Sequence, residues 1–220
     1  VGKDKSFSSI YEEFDAVFIG IGTYQQITGG FKGEDLTGVH EALTYLIGSV
    51  NQQLKITDCN NPYIDLSEKN VVVLGGGDTG MDCNRTAIRQ GATKVSCVYR
   101  RDEENMPGSR REVSSSKEEG VDFLFNKQPI EIIGKEYVTG VKVGETKLGE
   151  PDENGRRLPE LIDGSEEIIP ADAVIIAFGY LPDIPKWVSD HSVNSRSNGC
   201  IEVAPKDHLP FQTSNSKIFA

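Results

Sequence analysis

A chain of 220 residues, 37% hydrophobic and 26% charged, can bury a sizeable core and has the balance of an ordinary globular protein. Its formal net charge of −11 repels nucleic acid and anionic lipid, so an anionic ligand has to be caught by a local cationic pocket. No apolar run approaches the roughly 18 residues that a membrane-spanning helix needs, and no signal peptide opens the sequence.

In chain order, the first readable element is the apolar run over 15–22, Asp15-Ala16-Val17-Phe18-Ile19-Gly20-Ile21-Gly22. A short continuous apolar run ending in glycine is the pattern of a buried parallel strand whose turn approaches a ligand. Val39, Ala42, Leu43, Leu46, Ile47 and Val50 fall at helical spacing and predict a helix over 38–53. A polar connector with an Asn-Asn-Pro turn follows over 59–69. The four-residue run Val71-Val72-Val73-Leu74 then reads as a buried strand running straight into Gly75-Gly76-Gly77. A helix is expected over 79–90, closed by Gly91 in the left-handed conformation, and a strand over 94–99.

Ser109-Arg110-Arg111-Glu112 is a capping box, predicting a helix that Gly120 stops. A strand over 121–125, a β-meander over 130–143 and an exposed hairpin or loop over 149–164 complete this part. The run Asp172-Ala173-Val174-Ile175-Ile176-Ala177-Phe178-Gly179 repeats the D-A-V-x-I-x-x-G pattern of 15–22. Two related nucleotide-binding units would produce this echo, and so would the shared composition of buried strands. Beyond Pro182 only short strands near Ile201 and Ile218 are readable. Neither Val1 nor Ala220, directly after a strand-like Lys217-Ile218-Phe219, reads as a natural terminus, so an excised segment of a longer protein is expected.

The four cysteines, Cys59, Cys83, Cys97 and Cys200, form no C-x-x-C pair, which argues against a metal or iron–sulfur site in this segment and fits a reducing cytoplasm. His40, His191 and His208 are equally dispersed and read as surface or packing residues rather than ligands.

The strongest chemical signal is Gly75-Gly76-Gly77-Asp78-Thr79-Gly80, a G-x-G-x-x-G between a predicted strand and a predicted helix, the context its mechanism requires. Gly75 permits the tight turn, Gly77 removes a Cβ that would block a pyrophosphate, and Gly80 lets helix pack on strand. Amides at the start of the helix then face the phosphates. A second signal selects the dinucleotide. NAD-specific domains place an acid about 20 residues beyond the glycines to bond the ribose 2′-hydroxyl. Here Arg100 and Arg101 hold that position, and guanidinium groups donate to a 2′-phosphate instead. Asp102, Glu103 and Glu104 follow and are expected to orient the arginines. Glu112 reads as the capping-box partner of Ser109, with Arg110 placed to add to the phosphate pocket. Ala177, Phe178 and Gly179 end the second echo strand, where the glycine suits either a close cofactor passage or a purely structural strand end. No catalytic acid, base or nucleophile arrangement is evident, as expected where nicotinamide and its acceptor carry the chemistry. The fold class read from these residues is α/β, a Rossmann-like NAD(P)-binding domain with a parallel sheet and a β-meander, built to hold NADPH.

Gly75-Gly76-Gly77-Asp78-Thr79, Met81-Asp82-Cys83, the run from Tyr99-Arg100-Arg101-Asp102 to Met106-Pro107-Gly108-Ser109, and Pro170-Ala171-Asp172-Ala173-Val174-Ile175 closely resemble the small (β) subunits of NADPH-dependent glutamate synthases. They equally resemble related oxidoreductase modules fused to iron–sulfur domains. The resemblance runs essentially through the whole chain and implies a flavoprotein of the two-dinucleotide-binding-domain type. Residues 1–24 would end an FAD-type domain, 25–185 would be an inserted NADPH-binding domain, and 186–220 would return to the FAD-type domain. The FAD fingerprint and the cysteine-rich iron–sulfur region would lie before Val1, and a flavin-contacting Gly-Gly-Asp just after Ala220. This segment alone should therefore hold FAD poorly and be inactive. Gly80 departs from the family, which often has alanine there.

By the same resemblance, Gly75, Gly77, Asp78 and Thr79 would line the pyrophosphate, Arg100 and Arg101 would hold the 2′-phosphate, Glu112 would face the cofactor, and Gly179 would sit near the nicotinamide. The implied activity is hydride transfer from NADPH to FAD and onward electron transfer through iron–sulfur clusters to a large glutamate synthase subunit or a fused redox domain. Glutamate would then form from 2-oxoglutarate and glutamine. The alternatives are a paralogous module serving another reductase, or a non-enzymatic NADPH-binding sensor or interaction domain.

Overall fold

The computed structural model describes residues 1–57, 60–151, 157–203 and 209–220. Cys59, His208 and the tip of the expected 149–164 hairpin, residues 152–156, lie outside them. The chain divides into two compact units, one of Val1–Gln26 with Tyr180–Ala220 and one of Ile27–Gly179.

The unit formed by the ends opens with helix α1 (Phe7–Glu13), capped by Ser6, whose hydroxyl accepts from the Ser9 amide at 3.1 Å. Strands β1 (Val17–Phe18) and β2 (Gln25–Gln26) follow. The expected buried strand over 15–22 shrinks to β1, and Phe18 is 68% exposed although Ile19 is buried.

The unit Ile27–Gly179 starts with β3 (Val39–Glu41) and α2 (Ala42–Gln53). The helix predicted over 38–53 therefore begins four residues late. Gly38 sits at φ +97° and feeds an extended Val39-His40-Glu41 that pairs in parallel with a later strand. The buried face of α2 is Ala42, Tyr45, Gly48 and Ser49, and Val50 is exposed. Next come β4 (Asn70–Leu74), α3 (Asp78–Gln90), β5 (Lys94–Tyr99), α4 (Arg110–Glu118) and β6 (Asp122–Phe125). Gly91 caps α3 at φ +89°, the left-handed stop anticipated from its glycine. Strands β7 (Lys127–Gly134), β8 (Val138–Pro151), β9 (Arg157–Leu161) and β10 (Glu167–Pro170) form the antiparallel meander, with β9 and the end of β8 lying within the expected hairpin or loop. Strand β11 (Ala173–Ile176) closes the unit.

The central sheet is parallel throughout, in the order β3-β11-β4-β5-β6. Its three inner strands, β11, β4 and β5, are buried on both faces, which explains their largely apolar runs. Side chains alternate: Val71, Val73, Val95, Cys97 and Ile175 face a core shared with α2, α3 and α4 through Tyr45, Met81, Ala87 and Val113. Val72, Leu74, Val98, Val174 and Ile176 face the meander through Ile132, Val141 and Val143. The order makes β4 the strand from which the chain steps to β5 on one side and meets β11 on the other. In open α/β sheets ligands bind at the carboxyl ends of strands beside such a reversal.

After Gly179 the chain returns to the first unit with β12 (Tyr180–Leu181), which pairs with β2, helix α5 (Lys186–Asp190), and β13 (Ile218–Phe219), parallel to β1. Phe7 stacks on Trp187 with ring centroids 4.3 Å apart, above a small core of Ile19, Val188, Val193 and Ile218. No helix among the described residues is long and apolar enough to cross a membrane.

Candidate functional site

Three chain segments leave the parallel sheet at the same edge. Gly75 follows the end of β4, Arg100 the end of β5 and Ala177 the end of β11. They enclose a cleft of about 570 Å³ lined by Gly75, Gly76, Gly77, Thr79, Arg100 and Arg101 on one side, and by Ala177, Phe178 and Gly179 on another.

The glycines of the turn do different work. Gly75 lies at φ +130°, and a Cβ there would stand 2.3 Å from the carbonyl oxygen of Ala177. Only glycine lets β4 and β11 come this close as they leave the sheet. A Cβ on Gly76 would meet the Tyr99 ring at 2.6 Å. Gly77 has φ −87° and ψ 173°, an unstrained extended conformation, and a Cβ there meets nothing within 4 Å. Its absent side chain keeps cleft space open rather than relieving the fold. Gly77 is also the N-cap of α3 and offers no side-chain acceptor, so the first amides of that helix are left for another partner.

The arginines are held by their backbones. The Arg100 carbonyl accepts from Thr146 Oγ1 at 2.8 Å, and the Arg101 carbonyl accepts from the Asn126 amide at 3.1 Å. Arg100 is exposed, and neither arginine has an ion-pair partner among the described residues. The expectation that Asp102, Glu103 and Glu104 orient them is corrected. Asp102 accepts from the amide and side chain of Asn105 at 2.9 and 2.7 Å, and Glu103 pairs with Lys117 at 2.6 Å. Arg101 is oriented by Tyr99, whose hydroxyl accepts from Nε at 3.1 Å. Two uncompensated guanidinium groups therefore face the cleft in a chain of strongly negative net charge.

Four expected site residues do not line the cleft. The Asp78 carboxylate accepts the Ser109 amide at 2.7 Å, which fastens the start of α3 to the start of α4. Gly80 packs beneath the turn, where a Cβ would come within 2.8 Å of the Gly75 carbonyl. Arg110 lies on a neighbouring cleft with Asp102, Met106 and Lys117. Glu112 binds Arg85 at 2.5 Å, in a network in which Arg85 and Arg89 also reach Glu119. The capping box is accordingly one-armed: Ser109 Oγ accepts from the Glu112 amide at 3.3 Å, but the reciprocal donor is already taken by Asp78.

Several cleft residues were not among the expected site residues. Ile27, Thr28 and Phe31 form a wall next to Phe178, which meets Phe31 edge to face at 6.3 Å, and the Ile27 amide donates to the Gly179 carbonyl at 3.0 Å. Gln128 and Pro129 of β7 also line the cleft, hidden in the alternation of the meander. Pro107 reaches it because Gly108 lies against the glycine turn, its amide 2.9 Å from the Gly76 carbonyl.

The model of the family described as pyridine nucleotide-disulphide oxidoreductase matches residues 8–220. The chain belongs to this family. Along its whole length it is 55% identical to the glutamate synthase [NADPH] small chain of Halomonas elongata and covers 47% of that protein. It is 52% identical to the glutamate synthase [NADPH] small chain of Escherichia coli, again covering all of this chain and 47% of the relative. The chain thus spans about half the length of the curated relatives it matches. Among solved structures it is similar to Mycobacterium tuberculosis FprA in complex with NADPH, at 19% identity and a TM-score of 0.72, over 100% of this chain and 60% of that one. At that identity the likeness is one of fold, the two-dinucleotide-binding flavoprotein type.

Pyridine nucleotide-disulphide oxidoreductases take part of their name from thiol chemistry, which raises the question of this chain's own cysteines. Cys83 and Cys97 are both buried, and burial pushes both thiols up, that of Cys97 to about 11. The Cys97 thiol donates to the Gly75 carbonyl at 3.4 Å. Neither is a thiolate near neutral pH, and thiolate is the reactive form. Cys200 is exposed. Iodoacetamide at about pH 8 is therefore expected to alkylate Cys200 in the folded protein and to spare Cys83 and Cys97 until denaturant is added. Peptide mapping by mass spectrometry reads the result.

Proposed function

We propose that this chain is the NADPH-binding part of a flavin- and iron–sulfur-linked oxidoreductase, in which NADPH delivers a hydride to FAD. The observation that carries the reading is the meeting, at one edge of a parallel sheet, of a side-chain-free turn, a helix start whose N-cap offers no side-chain acceptor, and two arginines with no acidic partner among the described residues.

The residues present fit the coenzyme. Gly77 leaves room for the pyrophosphate, and the first amides of α3 donate to it with the helix dipole in support. Arg100 and Arg101 meet the 2′-phosphate, each guanidinium offering a planar fork of donors. Phe31 and Phe178 form the apolar end of the cleft, and Gly179 at φ +98° lets the chain pass the nicotinamide closely. Asp78 acts indirectly, by fixing the α4 start against α3 and keeping its own negative charge engaged. The work of the chain is position and electrostatics, and no acid or base is needed.

In this reading residues 27–179 are the NADPH domain, and the flanking unit belongs to an FAD-type domain completed by chain outside this segment. Electrons leave through iron–sulfur clusters carried elsewhere in the protein, to a large glutamate synthase subunit that forms glutamate from 2-oxoglutarate and glutamine. The identity with two glutamate synthase small chains supports that destination. The cytoplasm is the compartment proposed, in keeping with the free thiols of Cys83, Cys97 and Cys200.

The test is made on the full-length protein. It should be yellow with bound flavin, and anaerobic NADPH should bleach the flavin band much faster than NADH. A colourless protein that still binds NADPH would contradict the enzymatic reading and identify a sensor or interaction domain. Equal bleaching by the two coenzymes would contradict the assignment of the arginines.

A further inference from the structure

The end of β5 carries a group that neither the glycine turn nor the arginine pair accounts for. Tyr99 is 7% exposed, and its ring packs against Gly76. Ring and hydroxyl have separate tasks. The hydroxyl donates to the carbonyl of Asn105 at 2.7 Å and accepts from Arg101 Nε at 3.1 Å, with the guanidinium carbon 5.9 Å from the ring centroid. One oxygen thereby ties an arginine of the cleft to the loop that follows it, directly beside the turn.

The bond to Nε has a directional consequence. Arginine offers its donors in a rigid planar fork, and engaging Nε leaves both terminal nitrogens to point at a further acceptor. An arginine on a flexible stem otherwise loses much of its gain to side-chain entropy. The neighbouring acids do not hold Arg101, because Asp102 is turned to Asn105 and Glu103 to Lys117. That leaves the phenol as its anchor among the described residues.

We propose that Tyr99 is the positioning residue for coenzyme selection: its hydroxyl presets Arg101 for a ribose 2′-phosphate, while its ring supports the glycine turn. This rests on the reading of the cleft as an NADPH site, and it assigns discrimination between the two coenzymes partly to a neutral side chain that touches neither phosphate.

Tyr99→Phe keeps the ring and removes only the hydroxyl. In the full-length protein, dissociation constants are measured for NADPH and NADH, and for adenosine 2′,5′-bisphosphate and adenosine 5′-monophosphate as probes that lack nicotinamide. NADPH and the bisphosphate are expected to bind about tenfold more weakly, the loss of one charge-assisted hydrogen bond. NADH and the monophosphate are expected to change less than about twofold. A purely structural tyrosine would weaken all four ligands together, and that result, or unchanged NADPH binding, overturns the proposal. So does failure of the variant to fold, judged by its melting curve. If the wild-type protein itself does not prefer NADPH, the reading of the cleft has failed. A wild type with the preference and a Tyr99→Phe variant that retains it fully would remove only the role given to Tyr99.

Discussion

Valine at position 77 is expected to abolish binding of both NADPH and NADH while leaving the fold standing. Gly77 adopts an extended conformation open to any residue, and a Cβ built on it touches nothing within 4 Å. The new side chain therefore has room in the empty protein, and that room is the cleft itself. Its branches would cover the first amides of α3 and occupy the path of the pyrophosphate. A loss of at least about a hundredfold is expected for either coenzyme, on the order of 3 kcal/mol. The change at the N-cap costs stability no more than about 1 kcal/mol. Gly75→Ala should do the reverse. At φ +130° and 2.3 Å from the Ala177 carbonyl, any Cβ strains the junction of β4 and β11, and stability should fall by about 1–3 kcal/mol. Calorimetric titration and urea denaturation of both variants separate the two effects. Normal coenzyme binding by Gly77→Val would show that the turn does not face the ligand.

Much of the architecture was legible because the central strands are buried on both faces, which leaves runs such as Val71-Val72-Val73-Leu74 with one reading. Their punctuation was equally plain: β5 runs from Lys94 to Tyr99 as predicted, and Gly91 stops α3 where a left-handed residue was anticipated. The start of α2 was misread because Val39 fits helical spacing, yet Val39-His40-Glu41 pairs in parallel with β11 at the edge of the sheet. The apolar stripe through Val50 failed for a related reason. Gly48 and Ser49 pack inward, where a Cβ on Gly48 would strike the Pro62 carbonyl, and small residues do not announce a buried face.

At the site, the glycines and arginines were readable because their chemistry is local in sequence. What was not readable depends on which of several partners a charge finds in three dimensions. Asp102, Glu103 and Glu112 all follow arginines closely in the chain, and all turn to other groups: Asn105, Lys117 and Arg85. Proximity in sequence is a poor guide to ion pairing on exposed loops, where competing partners differ by less than about 1 kcal/mol. The Ile27–Phe31 wall has no periodicity to betray it and reaches the cleft only because the Ile27 amide is fixed to Gly179.

The second large effect is expected from Arg100→Ala combined with Arg101→Ala. Both side chains lack ion-pair partners among the described residues, so their removal should cost the fold little. Each lost charge-assisted hydrogen bond to the 2′-phosphate is worth about 1.5–3 kcal/mol, so NADPH binding should weaken from about tenfold to a few hundredfold or more. NADH, which presents a hydroxyl there, should be nearly unaffected. The salt dependence of NADPH binding should flatten as well, since it arises from these two charges.

The most direct measurement is a side-by-side titration of the unmodified protein with NADPH and NADH at fixed ionic strength. A cleft of this construction should bind NADPH at least about tenfold more tightly, near 1.4 kcal/mol. Equal affinity for the two, or binding of neither, would contradict the account.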